Sequence, residues 1–363
     1  MFIENYTVNS MIDQILKKFP HASLSGSDVN LFSGIEEEYN ALKYGAGIRL
    51  AFGRSVVKLT GKDTLDFLHR VSTNDVKDLK PFYKHPTLFL NEKGRFIDRT
   101  VLLNLDSHFI LIGENDSGRL NNWLTKYIIM EEIQTADLSK QNVIFDLIGP
   151  QSESYLTLIL GDEIKSLNGE NILNPSVDGF NFFLFSMHEP GGLKYYRILI
   201  SSDQAPNFFD YLLENKSVFD VAPVGSSAYD IFRVESGIPA YPNEINDQFN
   251  PHENSLIGEV NFKKGCYIGQ EVIARLDTYD KVSRVMTGFV FDQPFENPLP
   301  ASIFDVSGEE IGLVTSVVGS IQIGKKIGLG FLKKKFIGSD NEIYLKAGSQ
   351  KINLSVSGIP FKK

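Results

Sequence analysis

The chain has 363 residues, enough to bury more than one core, and its 42% hydrophobic and 22% charged content is ordinary globular usage. A formal charge of −9 argues against a protein that coats nucleic acid, which needs clustered Lys and Arg, so no direct DNA binding is expected. One cysteine excludes an internal disulfide and an all-cysteine metal or cluster site within one chain, and His85, His188 and His252 are scattered rather than set at ligand spacing.

Met1 to Asn9 lacks a basic segment followed by an apolar one, so it does not read as a signal peptide. No apolar run approaches the roughly 20 residues that cross a bilayer. A cytoplasmic protein without a membrane partner is the expectation. Met11, Ile12, Ile15, Leu16 and Phe19 predict a short helix, and the Gly/Ser/Asp-rich stretch Ser23 to Ser33 predicts a loop. Ser55 to Thr60 reads as a strand that turns at Gly61 into a helix over Asp63 to Val71. The pattern returns at Val143 to Ile148, Gly149 and Gln151 to Leu160, an offset of 88 residues (149 less 61). A second pair supports the period. His108 to Ile112 leads through Asp116 into a helix ending near Tyr127, and Tyr196 to Ser201 leads through Asp203 into one ending near Leu213, an offset of 87 (203 less 116). Two copies of a strand–helix–strand–strand–helix unit follow, over about 45–135 and 140–245, with both aspartates expected as helix N-caps. From residue 285 onward, Val285 to Phe291, Glu310 to Val318, Ile327 to Leu332 and Ile352 to Val356 predict a small all-β barrel.

Three segments can carry chemistry. Asn261 to Arg275 places Cys266 between Gly265 and Gly269, just before a predicted helix and beside Lys263 and Lys264, an environment that favours a thiolate. The competing reading is a small buried apolar residue, the commonest state of a free cysteine. Leu90 to Asp98 predicts a hairpin turn around Gly94, in which Asp98 either orients an amine or is a plain turn acid. Along Tyr229 to Gly237, Arg233 can fork onto a carboxylate ligand or pair with Asp230. The basic residues Lys325, Lys326 and Lys333 to Lys335 read as a solvated face or an RNA contact.

Leu68-His-Arg-Val-Ser-Thr-Asn-Asp-Val76, the strands around Ile97-Asp98, the Asp230 to Gly237 helix and Ile311 to Ser316 resemble the glycine-cleavage T-protein (aminomethyltransferase) superfamily over nearly the whole chain. Lys264-Gly-Cys-Tyr-Ile-Gly-Gln-Glu271 is similar to the signature of its YgfZ branch, folate-binding proteins implicated in iron–sulfur cluster maintenance and, through it, tRNA modification. The resemblance implies an α+β fold of duplicated ferredoxin-like units in a folate-binding region over 1–284, with a C-terminal antiparallel β-barrel over 285–363. It implies tetrahydrofolate or a derivative as cofactor and iron–sulfur proteins or their assembly machinery as partners; from the residues themselves no metal site within the one chain is expected, though Cys266 could supply one ligand to a cluster shared with a second protein. Cys266 and Lys264 are the expected catalytic residues, and Asp98, Arg233, Asn91 and Tyr267 the expected folate-binding ones. Two departures stand out. The T-protein pattern has paired aspartates where this chain has Asp98-Arg99, and it has a Gly-Glu-Asp-Gly-aromatic-Glu run where this chain has Gly191 to Arg197, so the glutamate expected against the pterin is absent. Alternatives are a folate-dependent aminomethyltransferase or methyltransferase with a reworked amine pocket, and a scaffold with folate as a structural ligand.

Overall fold

The computed structural model describes residues 8–362 apart from 26–27, 52, 116, 190, 280, 339–341 and 349. The chain forms two compact units, one from 1–65, 78–85 and 101–232, the other from 66–77, 86–100 and 233–363.

Helix α1 (Val8–Leu16) buries Ile12 and Ile15, with Leu16 and Phe19 against the same core; the Met11 side chain lies outside what is described. The stretch expected as a loop instead holds a hairpin, β1 (Ser23–Ser25) and β2 (Asp28–Leu31). What fixes it lies outside the stretch itself, in the helix that follows. Glu38, fully buried in α2 (Ile35–Tyr44), accepts the amides of Phe32, Ser33 and Gly225, each at 2.7 Å. Three charge-assisted hydrogen bonds offset the cost of burying that carboxylate.

Strand β3 (Ala46–Leu50) precedes the first copy of the repeat: β4 (Val56–Thr60), α3 (Thr64–Val71), β5 (Tyr83–Leu90), β6 (Phe96–Asn104), β7 (Phe109–Gly113), α4 (Ser117–Tyr127) and β8 (Gln134–Asp137). The second copy is β9 (Asn142–Ile148), α5 (Ser152–Leu160), β10 (Ser176–Val177), β11 (Phe180–His188), β12 (Lys194–Ser201), α6 (Ala205–Glu214) and β13 (Val221–Val224). Their sheets run β5-β6-β7-β4-β8 and β10-β11-β12-β9-β3-β13. The order is the same, with β3 inserted before the last strand of the second. Gly61 and Gly149, which mark the period, hold φ of +123° and +128° at equivalent strand-to-helix turns. A Cβ there would lie 1.8 Å from Glu132 O and 2.4 Å from Gly45 O respectively, so only glycine fits. One helix cap differs from expectation. Asp116 lies outside the described residues, and α6 is preceded by Gln204 with no side-chain cap, its start set instead by proline in the first turn, so Asp203 is not the cap.

Helices α7 (Ser226–Ser236) and α8 (Gln270–Thr278) follow, then β14 (Arg284–Phe291), β15 (Ala301–Asp305), β16 (Glu310–Gly319), β17 (Lys326–Lys333), β18 (Ile343–Ala347) and β19 (Gln350–Ser357). These six antiparallel strands close a barrel in the order β14-β17-β16-β15-β18-β19, with β14 pairing β19. Phe289, Phe291, Ile303, Val314, Leu345 and Leu354 fill it. The fold is therefore α+β with a C-terminal antiparallel barrel. At its rim Lys333 pairs with the half-exposed Glu309 at 2.6 Å, as a solvated face does. Among the described residues, no helix is long and apolar enough to cross a membrane.

Candidate functional site

The cysteine segment, the Leu90 to Asp98 hairpin and the Thr73 to Val76 stretch meet in the second unit, whereas Arg233 faces Glu244 and Ser316. Thr73 to Val76 is tied both to β5 and to the cysteine segment. Thr73 and Asn74 are buried: Thr73 N donates to Leu88 O at 3.0 Å, Asn74 N to Thr87 Oγ1 at 3.1 Å, and Asn74 Nδ2 to Pro86 O at 3.0 Å. Thr73 then reaches the cysteine segment. Its hydroxyl donates to Glu259 O at 2.8 Å, and its carbonyl accepts Asn261 N at 3.0 Å.

Glu259 is gripped a second time. Arg99 forks onto it, with Nε at 2.9 Å and 3.1 Å from the two oxygens and Nη2 at 2.6 Å from the first. Both side chains are largely removed from water, at 7% and 13% exposure, so the planar fork fixes direction as well as distance. Arg99, which in the sequence stands in place of a second aspartate, thus anchors the short 3-10 turn Ile257–Glu259 that leads into the cysteine segment.

The hairpin Asn91 to Arg95 closes against the other side. Asn91 Oδ1 accepts Lys93 N at 2.9 Å and Arg95 N at 3.0 Å, and Gly94 holds φ +66°. Gly269, at φ +82°, begins α8 where a Cβ would come within 2.5 Å of Asn91 O. A Cβ on Gly94 would touch Ile273 at 3.0 Å. Two glycines therefore let the turn and the helix start approach backbone to backbone, with Ile273 fully buried beneath them. Asn91, expected to touch folate, has its side-chain oxygen committed to this turn.

Cys266 is exposed, which removes the buried-apolar reading. Lys264, two residues earlier, is buried, and its ammonium donates to the carbonyls of His69, Ser72 (2.6 Å) and Asn74 (3.0 Å). Burial pushes its pKa down to about 8, with Asp75 acting against the shift. Tyr267 points inward among Leu88, Leu90, Phe96, Phe249 and Ile273. Its hydroxyl, pushed up to about 12 by burial and so protonated near neutrality, has no hydrogen-bond partner among the described residues. Asp98 is 1% exposed on β6, on the same side of the strand as Phe96 and Thr100. Arg233 is 3% exposed and faces Glu244 (Nη1, 3.2 Å) and Ser316 Oγ (Nη2, 3.0 Å). Glu244 and Glu259 were not singled out in the sequence: each looks like an ordinary loop acid until the arginine across from it is known. Among the described residues, no cluster of His, Cys, Asp or Glu could hold a metal ion.

The first unit carries a separate polar centre at the position where the sequence departs from the T-protein pattern. Asp146 on β9 lies directly across from Arg197 on β12 and from Arg49 on β3. Arg197 Nε and Nη2 lie 2.7 Å and 3.1 Å from the two Asp146 oxygens, and both side chains are 1% exposed. Arg54 approaches Asp146 to 3.9 Å and also pairs with Glu114, while Arg49 stacks 3.8 Å over the Tyr229 ring. Residue 197 is therefore an arginine neutralised inside the sheet, with no carboxylate offered from that position.

The model of the GCVT N-terminal domain matches residues 14–264, and that of the glycine cleavage T-protein C-terminal barrel domain matches 284–363. Curated relatives include a chloroplastic candidate transferase of Arabidopsis thaliana, 29% identical over 85% of this chain and 69% of its own length. The aminomethyltransferase of Chloroherpeton thalassium is 25% identical over 91% of both chains, and that of Bacillus mycoides 27% identical over 92% of this chain and 91% of its own. The crystal structure of glycine cleavage system aminomethyltransferase T from Bartonella henselae superposes with a TM-score of 0.81 over 96% of each chain at 21% identity, a likeness of fold.

Proposed function

Since the chain belongs to the glycine cleavage T-protein family, we infer that it is a folate-binding accessory factor for iron–sulfur cluster assembly or repair, with an indirect role in tRNA modification, that works through Cys266. The observation carrying this reading is the placement of the chain's one cysteine. It is exposed, and the segment around it is fastened by Arg99, Thr73, Lys264 and the Gly94–Gly269 contact, none of which a surface loop needs for its own sake.

Tetrahydrofolate or a derivative fits the residues present in part. Tyr267 offers a buried hydroxyl that lacks a partner, the kind of group a ligand's polar edge satisfies. Asp98 is the buried carboxylate matching the family position. We assign these two to the cofactor, which when bound supplies a carrier for a one-carbon unit. The thiol of Cys266 faces outward, toward a partner protein, as a nucleophile, a redox group or one cluster ligand.

A second reading, a folate-dependent aminomethyltransferase, draws on the named activity of the relatives from Chloroherpeton and Bacillus. Arg99, which stands where the T-protein pattern has its second aspartate and is locked onto Glu259, speaks against it, because amine transfer needs carboxylates placed at the reacting amine. One set of measurements separates the two. Cys266→Ser is expected to fold, to bind tetrahydrofolate as tightly as the parent in calorimetry, and to lose its support of cluster-dependent enzymes in cells; full support would sink the thiol reading. Tyr267→Phe and Asp98→Ala are expected to weaken folate by about 1–3 kcal/mol each, and unchanged binding would move the cofactor elsewhere. Turnover of a methylamine donor with free tetrahydrofolate by Cys266→Ser would favour the transferase.

A further inference from the structure

The flanking lysine of the cysteine motif invites a chemical role, as acid, base or electrostatic activator of the thiol. Its surroundings point elsewhere. The ammonium of Lys264 has three N–H donors, and three backbone carbonyls, those of His69, Ser72 and Asn74, receive them. Those carbonyls come from the last turn of α3 and the residues just after it, where a helix end leaves carbonyls without intrahelical partners. The aliphatic stem is buried with the charge, and the Tyr267 ring lies 5.4 Å from the nitrogen. Lys264 N is also fixed, donating to Asn261 Oδ1 at 3.1 Å, so the main chain beneath the side chain does not swing. Every N–H of the ammonium is accounted for by the 69–74 backbone.

We propose that Lys264 is a positioning residue: its ammonium acts as a built-in cation that closes the carbonyl cage of residues 69–74 and thereby holds the Cys266 segment to the Thr73–Asn74 segment. The bearing of this on activity rests on the reading of Cys266 given above, whereas the cage itself does not. A monovalent cation with N–H donors is the chemistry the cage takes. A lysine acting on the thiol as acid or base would need a donor or a lone pair facing it, and the geometry leaves neither; the thiol's pH midpoint tests a purely electrostatic effect.

The experiment uses the full chain and Lys264→Ala, in which a hole the shape of an alkylammonium is left. Trypsin cleavage after the exposed Arg70, at the end of α3, reports opening of the cage. Lys264→Ala is expected to be cut there about tenfold faster than the parent, because proteolysis follows the population of the open form. Added n-propylammonium, which matches the deleted atoms, should restore protection, and tetramethylammonium, equally charged but without N–H donors, should not. Cleavage of the alanine variant at the parental rate, or equal rescue by the two cations, overturns the cage. Lys264→Gln, neutral with two N–H donors, guards against a poorly folded alanine variant: it should be cut more slowly than Lys264→Ala, and equal rates count against the proposal. The alkylation of Cys266 by iodoacetamide supplies the chemical readout, since no other cysteine competes. Its pH midpoint should be the same in Lys264→Ala as in the parent; a displaced midpoint would show that the lysine acts on the thiol directly. None of these assays requires Cys266 to have the cellular role assigned above, so failure of that role and failure of the cage are told apart.

Discussion

Arg197→Ala should lower the unfolding free energy by about 3–5 kcal/mol, because it leaves the Asp146 charge at the centre of a sheet without its bidentate partner. Arg54 and Arg49, at 3.9 Å and 3.6 Å, are too far to take over those two hydrogen bonds. Urea titration of parent and variant measures the loss. Replacing both partners at once, as Asp146→Leu with Arg197→Met, should cost much less than the single change, since the desolvation penalty goes with the charges. The same pair sets a dependence on pH. Burial alone would raise the Asp146 pKa, but Arg197 and Arg54 outweigh it and hold the carboxyl below its usual value. A carboxyl depressed in the folded state adds stability above its unfolded pKa, about 4, and the gain is lost as pH falls through the lower folded value. Acidification below pH 4 should therefore destabilise the parent more than the Asp146→Leu/Arg197→Met variant. An identical acid profile for the two would mean that this pair does not govern acid sensitivity.

The second large effect belongs to Arg233→Ala, again about 3–5 kcal/mol. Glu244, wholly buried, accepts from Arg233 Nη1 (3.2 Å), Ala240 N (3.1 Å), Thr315 Oγ1 (2.5 Å) and Ser316 Oγ (2.6 Å). Only Arg233 among these brings charge. The three neutral donors that remain satisfy lone pairs without balancing the carboxylate. Thr315→Val, which removes one neutral donor, should cost about 1 kcal/mol. A ratio near one between the two variants in denaturant titration would show that Glu244 is held by its neutral donors, and that the arginine is free for another task.

How far these features could be read from the sequence depended on the distance between partners. The duplication was legible because its signature is local: Gly61 and Gly149 sit in the same turn with φ within 5° of each other, and only glycine tolerates that turn. The barrel strands with long β-branched runs were also legible, whereas β15 and β18, five residues each, lacked a run long enough to mark them. The β1–β2 hairpin was read as a loop because its composition is that of one, and the carboxylate that pins it belongs to the helix after it. At the site, the cysteine motif, the 91–95 turn and the Thr73–Val76 stretch each carry a local signature that the sequence shows. That they meet, and that Arg99 chooses Glu259, depends on pairings 160 to 190 residues apart that no local pattern encodes.

The insertion of β3 has a consequence for how the duplicated region can be cut. Strand β13 closes the second copy's sheet, yet its partner is β3, paired in parallel from Val221↔Ala46 to Val224↔Arg49, and β3 in turn pairs with β9. The second copy thus borrows its penultimate strand from chain that precedes the first. Sequence repetition here does not amount to two interchangeable modules: a fragment starting at Asn142 would carry every strand of its own repeat and still have a one-strand gap, with the unpaired edges of β9 and β13 facing each other across it. Such a fragment would become whole by accepting a strand from outside, and a peptide spanning Ala46–Leu50 is the one whose side chains match the gap.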